Sequence, residues 1–183
     1  ARSINVYAVA TDNRSVFVSA EDAGLERIYR ARAGRTAVDT VTRGERGVYT
    51  GQVGPERGRD VLLAVYETAS EPQELVRIDP SSGTHPRLPT FNASRAAALD
   101  LPAPEHFWTT NERGDRVHHM LVRPAGFDPA KKYPLFVLMH GGPHIMWRDQ
   151  FFIRWNYHLL GGKDFVLLLS NLDAERSRLI AID

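Results

Sequence analysis

The chain has 183 residues, with 23 Lys and Arg against 22 Asp and Glu, and a formal net charge of +1. The basic residues are scattered along the sequence, so electrostatics gives no case for a nucleic acid or a membrane surface as partner. There is no cysteine, which excludes disulfides and thiolate catalysis. No apolar run approaches the length of a membrane-spanning helix. The sequence leaves two properties open: the compartment, cytoplasmic or periplasmic, and any homo-oligomeric state.

Up to about residue 90, the sequence predicts short β-strands separated by polar turns. Apolar, β-branched and aromatic residues alternate loosely in six segments, at residues 4–10, 15–20, 27–31, 47–53, 61–67 and 74–78. Residues 26–30 and 73–77 look alike at an offset of 47 residues. A period in the forties is typical of β-propeller blades, with an irregular β-sandwich as the alternative. Two blades cannot close a ring, so residues 1–92 are predicted to be the last blades of a longer propeller.

The pattern changes in the second half, where residues 93–183 are predicted to begin an α/β domain. Residues 107–110 and 116–122 suggest a hairpin around Gly114-Asp115. Residues 135–139 are apolar throughout, which predicts a strand buried on both faces of a parallel sheet. The fold class is therefore mixed: C-terminal propeller blades followed by the first part of an α/β-hydrolase domain.

A helix is predicted next, over residues 150–160. Phe151, Trp155 and Leu159 recur at helical spacing and would form one apolar stripe against the sheet. Asp149 is a suitable N-cap, and Gly161 fits the end of the helix. A second apolar strand at residues 165–169 would complete a βαβ unit.

The sequence His140-Gly141-Gly142-Pro143-His144 follows the first apolar strand. Backbone N–H groups of glycines can approach a ligand closely, and amides at such a strand end can hold the oxyanion of a tetrahedral intermediate. The alternative is a plain turn with a structural histidine at His140. His140 and His144 have zinc-helix spacing, but Gly-Gly-Pro between them excludes the helix, so no metal and no cofactor is predicted.

From about Arg87 to Asn171 the chain resembles the prolyl oligopeptidase family of serine peptidases, especially its acylaminoacyl-peptidase and dipeptidyl-peptidase-like members. The resemblance is carried by residues 88–92, the predicted hairpin at 107–122, residues 123–129, Lys132-Tyr133-Pro134 and the motif at 140–144. It implies a propeller followed by an α/β-hydrolase domain that cleaves short peptides through an acyl-enzyme.

The same resemblance implies roles for the residues of the loop. Gly141 and Gly142 would supply a donor to the oxyanion hole, with His140 shaping the loop. His144 and Trp147 would line the substrate cleft, although packing roles are equally open for both. An α/β-hydrolase esterase and a non-catalytic propeller or pseudoenzyme are the alternative functions.

The family's Gly-x-Ser-x-Gly nucleophile motif is absent from the sequence. In the family the triad's acid and base follow the serine, so all three are expected beyond residue 183, and the remainder of the hydrolase domain is the expected partner. His118 and His119 are expected to be surface or packing residues. Residues 172–183 have two interpretations: a segment is absent near residue 172, or residues 173–180 form a short helix.

Overall fold

The computed structural model describes residues 4–53, 58–88, 90–141 and 145–171. The predictions for residues 172–183 lie outside these ranges. The elements, in chain order, are β1 (Ile4–Val9), β2 (Ser15–Asp22), β3 (Leu25–Arg32), β4 (Val38–Thr40), β5 (Val48–Val53), β6 (Leu62–Thr68), β7 (Glu71–Ile78), α1 (Ala93–Ala96), β8 (Glu105–Thr110), β9 (Arg116–Val122), β10 (Leu135–Met139), α2 (Tyr157–Gly161) and β11 (Val166–Ser170). Strands dominate, and they form two sheets. No helix in the described ranges is long and apolar enough to cross a lipid bilayer.

The first sheet consists of two antiparallel meanders. Strands β1 to β4 pair in sequence, and so do β5, β6 and β7. An isolated antiparallel bridge between Val76 and Arg87 places Arg87 beside β7, where a fourth strand of the second meander would pair. The meanders meet at one parallel bridge, Glu26 to Val48. All six predicted strands are confirmed. Strand β4 was missed because its three residues are all exposed and leave no pattern of burial in the sequence.

The sequence repeat corresponds to a structural repeat. Residues 26–30 lie on β3 and residues 73–77 lie on β7, which are the third strands of their meanders. The two meanders also share one apolar core, formed by Ala10, Phe17, Ile28, Val41, Tyr49, Leu62, Ala64, Val76 and Ile78. Burial of this common core holds the meanders against each other.

The second sheet has the strand order β10-β11-β9-β8. The predicted hairpin is confirmed as β8 and β9, with Gly114 at its turn in the left-handed region at φ 86°. Strands β10 and β11 are parallel, with α2 between them in the chain, which confirms the βαβ unit. The prediction that β10 is buried on both faces is wrong for the described residues. All five of its residues are only half-buried, because β10 lies at an edge of the sheet as far as the structure describes it, with β11 as its one neighbour there.

The predicted helix at 150–160 is wrong for most of its length. The helix α2 has only five residues, and its N-cap is Asn156, whose side chain accepts from His158 N and Leu159 N, both at 3.1 Å. Leu159 and Trp155 of the predicted apolar stripe are 80% and 47% exposed. The backbone of this segment follows another path: Gln150 N and Phe152 N each donate to the carbonyl two residues back, at 2.8 Å and 3.0 Å, while Asp149 and Phe151 are held by the first sheet, as described below.

Candidate active site

The candidate site lies where β10 and β11 end. Because the two strands are parallel and Met139 is paired with Ser170, the chain leaves the sheet at His140 and Asn171 along the same edge. The carboxyl ends of parallel strands are where α/β folds place ligands. Gly141 is exposed at this edge, and a Cβ added to it would have no heavy atom within 4 Å. The backbone at Gly141 is therefore open to close approach.

A cavity of about 520 Å³ adjoins Gly141. It brings together three of the residues that the sequence singled out, His140, Gly141 and Trp147, and its walls are mainly apolar. The other lining residues are Glu21, Leu138, Met139, Ile145, Met146, Arg148, Phe152 and Trp155. Gly142 and His144 lie outside the described residues, so their roles stay predictions.

His140 belongs to the wall of this cavity. Its side chain is buried, with the residue only 7% exposed. Neither ring nitrogen has a hydrogen-bond partner within the described part of the chain. The imidazole is thus a buried part of the cavity wall, and its predicted role in shaping the loop stays a prediction.

Trp147 joins the cavity to the core of the second sheet. Its ring makes edge-on contacts with Phe152 at 6.3 Å and with Tyr157 at 5.9 Å between centroids. Tyr157 is 1% exposed, and its hydroxyl donates to the Arg148 carbonyl at 2.7 Å. Burial raises the pKa of Tyr157, so the phenol stays protonated and acts as a fixed donor. The aromatic cluster packs this wall against the core of the second sheet.

Asn171 fixes the backbone of Trp147 from the neighbouring strand end. The Trp147 N–H donates to Asn171 Oδ1 at 2.5 Å, and Asn171 Nδ2 lies 3.3 Å from the Trp147 carbonyl oxygen. Asn171 Nδ2 also lies 3.0 Å from His118 Nδ1, which must accept because the amide nitrogen can only donate. The sequence analysis did not single out Asn171 as a site residue, although a polar residue directly after an apolar strand can indicate one.

His118 continues this network into the protein interior. Its Nε2 lies 3.1 Å from His106 Nδ1, and with Nδ1 accepting, a neutral His118 donates from Nε2. Burial, reinforced by His106 and His119, lowers the pKa of His118 to about 4. His118 and His119 are 5% and 8% exposed, so the packing interpretation holds for both and the surface interpretation is wrong.

The loop that follows Gly141 also contacts the first sheet. Arg148 Nη1 lies 2.8 Å from Glu26 Oε2, and Glu26 is only 2% exposed. Glu21, at the end of β2, lines the cavity with its carboxylate 3.9 Å from the same guanidinium nitrogen. The cavity is thus bordered by both sheets, with paired charges on the side of the first sheet.

The described part of the cavity lacks the side chains that most often act as nucleophiles in peptide hydrolysis. Its lining has no serine, threonine or lysine. No group of three or more His, Asp or Glu side chains in the described ranges is placed to hold a metal ion. What the described arrangement offers is an exposed glycine backbone with open space around it, beside a mainly apolar pocket.

Comparisons with known proteins identify the class of protein. No protein-family model matches the chain. Dipeptidyl-peptidase 5 of Schizosaccharomyces pombe is 40% identical over 63 residues, which are 34% of this chain and 9% of that protein. Dipeptidyl-peptidase 4 of Giardia intestinalis is 25% identical over 202 residues, covering 96% of this chain and 26% of that protein. The solved structure of Pyrococcus horikoshii acylaminoacyl peptidase matches with a TM-score of 0.71 at 20% identity, over 93% of this chain and 25% of that chain.

These proteins are all peptidases, and the structural match extends over both sheets. The resemblance to peptidases of the prolyl oligopeptidase family is confirmed, for a part of such a protein. The chain spans between 9% and 26% of the length of the two curated relatives described above.

Proposed function

We propose that this chain forms part of a serine peptidase of the prolyl oligopeptidase family that hydrolyses short peptides through an acyl-enzyme. The observation that carries the proposal is the open backbone at Gly141, at the carboxyl edge of a parallel strand pair and beside a largely apolar cavity. This is the position at which a donor to an oxyanion is useful. The relatives named as dipeptidyl and acylaminoacyl peptidases support peptides as the substrate class.

The proposed architecture has two parts, with propeller blades in residues 1–92 and the start of an α/β-hydrolase domain in residues 93–183. The four-position meanders, repeated at 47 residues and packed through a common core, support the blades. The parallel β10–α2–β11 unit beside an antiparallel hairpin supports the hydrolase sheet.

In the proposed reaction an activated serine attacks the substrate carbonyl carbon, and negative charge develops on the carbonyl oxygen. The Gly141 backbone, together with Gly142, supplies a donor on this side of the site. One such donor stabilises the transition state by about 3–4 kcal/mol. The amine then leaves with a proton from the general acid, and water releases the acyl group. The nucleophile, base and acid would come from residues outside this chain.

The apolar walls of the cavity suit a substrate side chain rather than a charged group. Trp147, Phe152 and Met146 would contact it, and the Arg148–Glu26 pair would remain outside the apolar part. A pocket of this kind buries most of a small ligand and fixes its orientation with a few polar groups.

Activity-based labelling of the full-length protein that contains these residues tests the proposal. A fluorophosphonate probe is expected to label a single serine, and peptide anilides with a free or an acylated amino terminus are expected to be cleaved. Absence of labelling would instead favour a pseudoenzyme or a binding propeller. Cleavage of a p-nitrophenyl ester without cleavage of any peptide anilide would favour an esterase.

A further inference from the structure

Asp149 is a loop residue whose carboxylate is completely buried. It accepts four hydrogen bonds: from Arg46 Nε at 2.5 Å, Arg46 Nη2 at 3.3 Å, Gly47 N at 2.9 Å and Ala69 N at 2.8 Å. Its own backbone N–H donates to the Gly24 carbonyl at 2.7 Å. Hydrogen bonds to a charged acceptor are about twice as strong as neutral ones, so this residue is held firmly in place.

The partners of Asp149 belong to both meanders of the first sheet. Gly24 lies in the turn between β2 and β3 of the first meander. Gly47 directly precedes β5, and Ala69 lies in the turn between β6 and β7, both in the second meander. A single side chain and its backbone amide therefore tie the loop after β10 to both repeats.

Neighbouring loop residues strengthen this attachment. Phe151 N and Gln150 Nε2 donate to the two oxygens of Glu67, at 3.1 Å and 3.0 Å, and Glu67 is 1% exposed. Together with Arg148 on Glu26, four consecutive loop residues are attached to the first sheet. The loop cannot shift relative to the meanders without breaking several buried hydrogen bonds, each of which is costly to leave unmade.

We propose that Asp149 is a positioning residue for the reaction: it holds residues 145–151, which include Trp147 of the cavity wall, in register with the first sheet, so that this wall keeps its place beside Gly141. The inference rests on the proposed function. Groups that position a substrate act only when their own geometry is fixed in advance. A displacement of about 1 Å, even one caused by a residue away from the chemistry, can cost about 100-fold in rate.

The test is Asp149→Asn in the full-length protein. The carboxamide has the shape of the carboxylate, but in either orientation its NH₂ group faces N–H donors. Two of the four hydrogen bonds are then lost. We expect kcat for a peptide anilide to fall about 10- to 100-fold, and KM to rise with it, because Met146, Trp147 and Arg148 of the displaced segment line the pocket. Amide hydrogen exchange at residues 145–151 should become faster.

Glu74→Gln is the matched control. Glu74 is also a buried carboxylate, 4% exposed, and it accepts from the backbone N–H groups of Phe91 and Asn92 at 2.9 Å and 2.5 Å. Glu74 makes no contact with residues 145–153 in the described structure. The kcat of the variant should therefore equal that of the wild type, even if the melting temperature of the variant falls. Arg46→Gln removes two donors to Asp149 and should give a smaller loss of kcat. If Asp149→Asn does not fold, this variant tests the positioning role in its place.

Two results would overturn the positioning role. One is a lower melting temperature with kcat within twofold of the wild type, and the other is a raised KM with kcat unchanged. A wild-type protein without peptidase activity would instead overturn the proposed function. In that case hydrogen exchange at residues 145–151 in the variant still decides whether Asp149 holds the loop.

Discussion

Replacing Gly141 by alanine would separate its catalytic contribution from any effect on folding. The backbone of Gly141 is outside the left-handed region, and an added Cβ would have no heavy atom within 4 Å. The free energy of unfolding should therefore change by no more than about 0.5 kcal/mol. The methyl group would stand beside the amide, where the substrate oxygen must approach. Alanine keeps the backbone N–H, so the loss comes from the methyl group keeping the substrate oxygen away from it. At most this removes the contribution of one oxyanion donor, about 3–4 kcal/mol, which predicts a fall in kcat of up to about 10²- to 10³-fold.

The assay is steady-state cleavage of a peptide anilide by the full-length protein, with the melting temperature measured on the same samples. Gly161→Ala is the matched control, because Gly161 likewise has an ordinary backbone conformation and open space around an added Cβ. It lies at the end of α2, away from the cavity lining, so kcat should not change. Wild-type kcat in Gly141→Ala, or an equal loss in both variants, would refute the role given to Gly141.

Two further predictions concern folding. Gly24→Ala should lower the free energy of unfolding by about 2–5 kcal/mol, because φ is +79° and the new Cβ would lie 2.4 Å from His118 Cε1; a wild-type melting temperature would contradict this. His118 has an ordinary pKa of 6.5 but a pKa of about 4 in the folded protein. The unfolded chain therefore binds the extra proton first, and stability should fall by up to about 3 kcal/mol as the pH drops from 6.5 to 4. Urea unfolding of His118→Gln should show a smaller loss over that range, and an identical pH profile would argue against this origin.

The strands were predictable from the sequence because their pattern is local. Alternation of apolar and polar residues marked β1, β2, β3, β5, β6 and β7, and continuous apolar runs marked β10 and β11. The exposed three-residue strand β4 has no such pattern. The edge position of β10 depends on the order of strands in the sheet, which a single segment does not encode.

The helix prediction failed for a reason that is not local. Phe151, Trp155 and Leu159 have helical spacing, but the chain from Asp149 to Phe151 bonds to Glu67, Gly24 and other groups more than 75 residues away. Long-range hydrogen bonds to buried partners outweigh a helical pattern of this length.

The candidate site could be predicted only in part. The run of glycines after an apolar strand led to His140 and Gly141, and the resemblance added Trp147, all of which line one cavity. The roles of Asn171 and Asp149 depend on pairings between distant residues, Asn171 with His118 and Asp149 with Gly24, Gly47 and Ala69. The sequence around Asp149 was misleading, because an acidic residue ahead of an apolar run is typical of a helix cap.

A crystal structure of the full-length protein with a peptide boronic acid bound would test the central claim most directly. The tetrahedral boronate mimics the intermediate, so one of its oxygens is expected about 2.7–3.1 Å from the backbone nitrogen of Gly141 or Gly142. Its side chain should enter the cavity beside Trp147. A boronate bound elsewhere, with both amide groups turned away from its oxygens, would contradict the account.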